Sequence, residues 1–154
     1  MKKRENMTIR KAEIRDARTI ADFNIKMAKE TENKELDFET VLRGVKAIMK
    51  DAHKGFYLVA ERKGQILGQL MVTPEWSDWR NMYFYWIQSV YVPEESRKQG
   101  IFSALFHHLK DLALYKKSVA GLRLYVEVNN EGAKQTYEAL GMHTPGYDMY
   151  ELLL

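Results

Sequence analysis

The apolar residues of this chain switch between the period of a helix and that of a strand, and each switch marks an element. Residues 7–11 alternate as a short strand, after which Asp16 opens a helical pattern with Ala17, Ile20, Ala21, Asn24, Met27 and Ala28 on one face. A second helix reads more sharply. Phe38, Val41, Leu42, Val45, Ile48 and Met49 recur at helical spacing behind Asp37, a residue type that caps a first turn. From Gly55 the period is that of strands: residues 56–61 and 65–73 form a hairpin around Arg62, Lys63 and Gly64, and a longer strand runs from Met82 to Val92.

Ile101, Phe102, Leu105, Phe106, Leu109, Leu112 and Ala113 line one side of the next helix. Residues 122–128 alternate again, residues 131–140 make a short helix stopped by Gly141, and residues 147–153 read as a last strand. Pro74, Pro93 and Pro145 all fall between these elements. The order β-α-α-β-β-β-α-β-α-β predicts an α/β fold with a mixed central sheet flanked by helices. The strands on either side of the helix after Val92 should be parallel neighbours joined by a right-handed crossover, whereas the hairpins are antiparallel. Ligands of such sheets collect at the carboxyl ends of the parallel strands, which here means residues 93–100.

Composition narrows the chemistry. At 154 residues and 45% hydrophobic the chain is the size of one domain, expected over residues 1–154, with residues 1–6 as a loose tail and Met7 as an alternative start. Lys+Arg 24 against Asp+Glu 21 is an intermixed surface of net charge +3, so nucleic acid is not an expected partner. The absence of cysteine removes disulfides, thiolate metal sites and a cysteine nucleophile. No apolar stretch approaches the roughly 20 residues of a membrane span, and the start lacks the apolar region of a signal peptide; a soluble, cytoplasmic protein is expected. His53, His107, His108 and His143 have no zinc spacing, and no metal is expected.

The most informative run is IQSVYVPEESRKQGIFSAL, residues 87–105. An alternating strand breaks at Pro93 and passes through a basic turn with Gly100 into a helix. A helix N-terminus presents unpaired N–H groups and the positive end of the dipole at one spot, which suits a phosphate. Arg97 and Lys98 add charge beside it. The run lacks the Gly-Lys-Ser/Thr of a nucleotide loop and the spaced glycines of a dinucleotide fingerprint, so ATP hydrolysis and hydride transfer lose their support. A second segment, LRLYVEVNNEGAKQTYEALGM over residues 122–142, ends a strand at Asn129 and Asn130 and opens a helix with Ala133, Tyr137 and Leu140 on one face.

With both segments in this order the chain resembles the GNAT acetyltransferase superfamily. Arg97 and Gly100 match that family's Arg/Gln-x-x-Gly-x-Gly/Ala pyrophosphate loop, and Asn130, Ala133 and Tyr137 match its Asn-x-x-Ala-x-x-x-Tyr pattern; Phe102 departs, standing where a small residue is usual. The resemblance implies acetyl-coenzyme A as co-substrate, bound between the strands ending at Val92 and Val128. The backbone of Val90, Tyr91 and Val92 would pair with the pantetheine arm, and N–H groups of Lys98, Gln99, Gly100, Ile101, Phe102 and Ser103 would hold the pyrophosphate. It also implies Tyr137 as the acid that protonates the leaving thiolate, and transfer of the acetyl group directly to a primary amine.

The base is less plainly written. Trp86 and Gln88 occupy the inward positions of the long strand where some relatives carry a glutamate, so Glu127 is the first choice, with Glu75 and Asp78 behind it. Residues 73–88 are rich in aromatics, and Glu75, Trp76, Trp86 and Gln88 are the expected acceptor-binding residues. Glu30, Glu32, Glu35, Asp37 and Glu39 cluster where the first two helices join, which suits either a cationic amine or an acidic helix start. The acceptor is a small amine or a peptide amine, and a homodimer through the aromatic hairpin or the last strand is compatible with the pattern. The competing reading is a coenzyme A-binding regulatory module that has kept the fold and lost the chemistry.

Overall fold

The computed structural model describes residues 6–154. The loose tail expected over residues 1–6 therefore lies, apart from Asn6, outside the described residues. The chain forms two compact units, Met1–Leu124 and Tyr125–Leu154.

The first unit is a five-stranded sheet in the order β1 (Thr8–Lys11), β2 (Phe56–Arg62), β3 (Gln65–Ser77), β4 (Met82–Tyr91) and β5 (Val119–Leu124). The first four strands pair antiparallel and β5 pairs parallel to β4, the mixed sheet expected from the element order. Helices α1 (Ala17–Glu32) and α2 (Phe38–Lys50) pack Ala17, Ile20, Ala21, Leu42, Val45 and Ile48 against Tyr57 and Val59 of β2. Successive strand residues point to opposite faces, so Leu58, Leu70 and Val72 serve the other face. There α3 (Ile101–Lys116) buries Ile101, Leu105, Phe106 and Leu109. Leu58, Leu70, Leu105 and Leu109 are fully buried, and truncating one of them to alanine costs about 2–5 kcal/mol.

Local chemistry explains the element ends. Asp37 accepts a hydrogen bond from the Thr40 N–H at 2.8 Å and so caps α2. Lys63 and Gly64, with φ of 52° and 75°, make the two-residue turn that matches strand twist.

Three elements differ from the sequence expectation. β3 continues four residues past Thr73, through Pro74, because β2 stops pairing at Phe56↔Val72 and the missing proline N–H has no ladder partner to deprive on that side. β5 begins at Val119 rather than Leu122 and ends at Leu124 rather than Val128, since its parallel register runs out at Ile87↔Leu124, two residues before β4 bends. The expected strand over residues 147–153 does not form: alternation marks residues fit for a strand, but a strand exists only where a neighbour supplies the ladder. The second unit holds α4 (Glu131–Ala139), which ends where Gly141 adopts φ 89°.

Candidate active site

β4 is interrupted just before it reaches the basic turn. Gln69 pairs with Tyr91 and Met71 with Gln88, so two steps along β3 face three along β4, and Ser89 takes φ 50° at the bulge. Ser89 and Val90 leave the β3 ladder there, and their backbone groups turn away from regular pairing. Tyr91 returns to the α1 face, its ring 5.3 Å from that of Phe23. A short 3₁₀ turn over Glu94–Ser96 follows, and then the residues read as a phosphate cradle.

In that turn Lys98 and Gly100 are left-handed, with φ of 60° and 74°. The first backbone bond of α3 runs from the Ala104 N–H to the Gly100 carbonyl at 3.0 Å, which leaves the N–H groups of Ile101, Phe102 and Ser103 ahead of the helical ladder. A Cβ added at Gly100 would meet nothing within 4 Å, so the space beside Gly100, at the start of the helix, is open. Gln99 donates from its amide to the Glu95 carbonyl at 3.4 Å, across the turn. Ile101 can lie flat against β3 because Gly68 has no side chain; a Cβ there would come within 2.7 Å of Ile101 Cγ2. Phe102, the departure from the family pattern, packs at a tilt beside Phe106 of the same helix, with ring centres 6.2 Å apart.

Arg97 is engaged elsewhere than the open space. Its Nε donates to the Val92 carbonyl at 2.9 Å, and its Nη2 pairs with Glu30 Oε2 at 2.6 Å. Tyr91 donates its hydroxyl to the other Glu30 oxygen at 2.8 Å. Arg97 and then Tyr91 hold the Glu30 carboxyl below the usual carboxylate range. Burial, and then the Glu30 carboxylate, push the Tyr91 phenol up to about 12. Of the acidic cluster, Glu30 thus serves the loop, Asp37 caps α2, and Glu32 and Glu35 pair with Lys34 and Lys29.

Glu75, Trp86 and Gln88 share the α1–α2 face of the sheet. Glu75 accepts from Trp86 Nε1 at 2.9 Å and from Arg123 Nη1 at 2.8 Å, and Gln88 donates to Thr73 Oγ1 at 2.6 Å. Arg123, which the sequence reading passed over, also lies over the Phe84 ring at 3.6 Å. Trp76 is one residue on from Glu75 and so faces the opposite side, edge-on to Tyr83 at 4.9 Å and half exposed. The four expected acceptor residues therefore do not form one wall. A cavity of about 550 Å3 beside the Arg10–Asp16–Glu61 ion cluster has Pro93 and Glu95 in its lining but none of residues 97–103.

In the second unit, Asn130 caps α4 by accepting from the Ala133 N–H at 3.1 Å, which fixes Tyr137 two turns on. Tyr137 is half-buried, and burial pushes its phenol above the ordinary value, so it is a protonated donor at neutral pH. Glu127 stands in the turn before α4, where its two oxygens accept from the Asn129 N–H at 2.9 Å and the Asn129 amide at 3.2 Å. Among the described residues no group of three or more His, Cys, Asp or Glu side chains is placed to hold a metal ion, and no helix is long and apolar enough to cross a membrane.

Comparison with known proteins gives a consistent picture. The family model described as the acetyltransferase (GNAT) family matches residues 16–142. A solved structure described as a possible acetyltransferase from Clostridium difficile 630 is 48% identical, with 96% of this chain and 97% of that one covered and a TM-score of 0.91. Two more distant structures share the fold. The ribosomal-protein-alanine N-acetyltransferase from Brucella melitensis biovar Abortus 2308 is 19% identical over 97% of this chain and 99% of that one, with a TM-score of 0.78. A predicted acetyltransferase with acetyl-CoA from Clostridium acetobutylicum is 17% identical over 95% and 96%, with a TM-score of 0.74. No curated protein matches the chain.

Proposed function

The chain belongs to the acetyltransferase (GNAT) family, and from that premise we propose that it transfers the acetyl group of acetyl-CoA directly to a primary amine, on a small molecule or a peptide. The observation that carries this reading is the turn at Lys98 and Gly100, open beside Gly100, which leads from the β4 bulge to the N–H groups of Ile101, Phe102 and Ser103 that precede the helical ladder. A diphosphate is the anion such a cradle suits. Lys98, Gln99 and Gly100 bring the backbone to it, and the strand end at Val90, Tyr91 and Val92, past the last pairing with β5 at Ile87, offers main-chain groups to an extended pantetheine arm.

Acetyl-CoA supplies the activated acyl carbon. A carboxylate takes one proton from the ammonium; the freed amine nitrogen bonds to the acyl carbon as the carbon–sulfur bond breaks, the sulfur takes the Tyr137 phenol proton, and the second proton, shed by the nitrogen as the amide forms, returns through solvent to the Tyr137 phenolate. A lysine-like amine is almost wholly ammonium at neutral pH, with a pKa of about 10.4, so a base has work in every turnover. We assign that role to Glu75, which shares a sheet face with Trp86 and Gln88. Glu127, preferred on sequence alone, stands past the end of β5 in the turn before α4, where it accepts from Asn129; both carboxylates have partners on each oxygen, and what favours Glu75 is its place on the sheet face of the expected acceptor residues Trp86 and Gln88. Trp86, Gln88 and Arg123 line the acceptor side.

The test pairs a calorimetric titration of acetyl-CoA with an assay of free coenzyme A thiol over a panel of small amines and peptides. Binding with amine-dependent thiol release is expected. Binding with no release across the panel favours a regulatory coenzyme A-binding module, and absence of binding overturns the reading.

A further inference from the structure

Three polar side chains are buried where α1 packs on the sheet, a place otherwise filled by Ala17, Ile20, Ala21 and Val59. Gln69 on β3 has no exposed surface, and Asn24 on α1 and Tyr57 on β2 are buried with it. The Gln69 amide donates to Asn24 Oδ1 at 2.8 Å and to the Ser89 carbonyl at 3.1 Å, and the Asn24 amide donates to the Tyr57 hydroxyl at 3.1 Å. The Ser89 side chain meets the same Tyr57 hydroxyl. Gln69 and Tyr57 thus reach one residue of β4, the left-handed Ser89, and Asn24 ties the two to each other. Gln69 Oε1 is buried with no partner, so the amide is held there for its donors at the expense of its acceptor.

This arrangement is hard to explain by stability. Gln69 leaves its own Oε1 orphaned in the interface while its two N–H donors hold Asn24 Oδ1 and the Ser89 carbonyl, and a non-glycine residue at φ 50° inside a strand persists only when its surroundings over-determine it. Bulges of this kind re-aim the groups that follow them. Here those groups are Val90 and Tyr91, immediately ahead of the anion cradle.

We propose that Gln69, supported by Asn24 and Tyr57, is a positioning residue that fixes the Ser89 bulge and so aims the main-chain groups of Val90 and Tyr91 at the thioester of acetyl-CoA. The inference rests on the acetyl-transfer reading above for the identity of the ligand, but not for the aim of the strand. It also makes α1 a structural partner of the donor site: the helix reaches the strand end through Asn24 as well as through Glu30.

The experiment uses the whole chain with Gln69→Met, which keeps the side-chain length and removes both donors, and Tyr57→Phe as a milder second variant. Amide hydrogen exchange at residues 89–91 is read alongside the affinities for acetyl-CoA and for coenzyme A. The proposal expects faster exchange at residues 89–91, coenzyme A affinity within about twofold of wild type, and about a fivefold loss in the preference for acetyl-CoA, the worth of one hydrogen bond. Where an amine substrate is in hand, kcat should fall about tenfold or more, with KM for acetyl-CoA rising no further than the roughly fivefold loss of its affinity. A lower melting temperature with wild-type exchange at residues 89–91 and an unchanged affinity ratio would show mere packing and overturn the proposal. Should wild type bind acetyl-CoA but acetylate nothing, the transfer reading fails while the exchange and affinity results still decide this one.

Discussion

Arg97 and Glu30, 67 residues apart in sequence, meet in an ion pair with Nη2 2.6 Å from Oε2, and the same guanidinium holds the Val92 carbonyl through Nε. A residue that the sequence pattern offers to a phosphate is thus paired with a carboxylate on α1, and its two contacts tie the chain between β4 and α3 to that helix. The pair is about two-fifths exposed, in the range where such pairs are worth little by themselves.

Arg97→Ala should accordingly weaken coenzyme A binding about two- to fivefold by loosening the turn, and leave the salt dependence of binding nearly as it was. Lys98→Ala should flatten that salt dependence, because its exposed charge stands beside the cradle. Calorimetric titration at two ionic strengths separates them; equal loss of salt dependence in both variants would return Arg97 to the phosphate.

A second ion cluster gives the first unit its acid sensitivity. Arg10 grips Asp16 with two nitrogens, at 2.8 and 3.0 Å, and also pairs with Glu61. Burial alone would raise the Asp16 carboxyl, but Arg10 and the Glu13 N–H outweigh it and hold the group below its ordinary 3.8. A carboxylate depressed in the folded state contributes fully above its unfolded value, and that contribution is lost as pH falls through the lower folded value. Asp16→Asn should cost about 2–3 kcal/mol at neutral pH, and the gap to wild type should close below pH of about 4. Urea unfolding at both pH values measures it; a gap that persists in acid would place the effect in packing.

These two contacts show where sequence reading stops. The helix over residues 38–50 and the turn at Lys63 and Gly64 are visible because cap, period and turn chemistry are all local. Asn24 was visible as a polar residue on an apolar helix face, but its partner Gln69 lies 45 residues on, inside a strand whose alternation carries no mark of a buried amide. Trp76 was grouped with Glu75 by proximity in sequence, which in a strand places neighbours on opposite faces. The expectation of a strand over residues 147–153 failed for a related reason, since alternation states a capacity and a ladder needs two partners.

Tyr137 and Glu75 divide the proton work in the proposed reaction, and their variants should differ from that of Glu127. Tyr137→Phe is expected to keep coenzyme A affinity and lower kcat by about a hundredfold, the scale of a general acid. Because burial raises the phenol, wild-type activity should show no loss from Tyr137 ionisation until pH rises above the ordinary 10.0. Glu75→Gln should lower kcat by about tenfold or more, while Glu127→Gln, which disturbs only the Asn129 turn, should stay within about threefold of wild type. The reverse ranking of the two glutamates would move the base to Glu127.

Gly100 caps the start of α3 and Gly68, on β3, lies under Ile101 of that helix, and the physical reason for each glycine predicts a different failure. Gly100 has φ 74°, and a methyl group there would touch no protein atom within 4 Å, so Gly100→Ala carries only the strain of a left-handed alanine, about 1 kcal/mol. If the diphosphate approaches the turn at Gly100 as proposed, that methyl would nevertheless crowd it, and coenzyme A affinity should fall about tenfold or more. Gly68 has no backbone strain to relieve, but a Cβ there would come within 2.7 Å of Ile101 Cγ2 and 3.2 Å of Val92 Cγ2. Gly68→Ala should therefore lose about 1–3 kcal/mol of stability as Ile101 is pushed off β3. Its coenzyme A affinity should fall less than that of Gly100→Ala, since the donors move but nothing blocks them. Thermal unfolding and calorimetric titration of the two variants measure both quantities; a Gly100→Ala protein that binds coenzyme A as well as wild type would show that the diphosphate is held somewhere other than this turn.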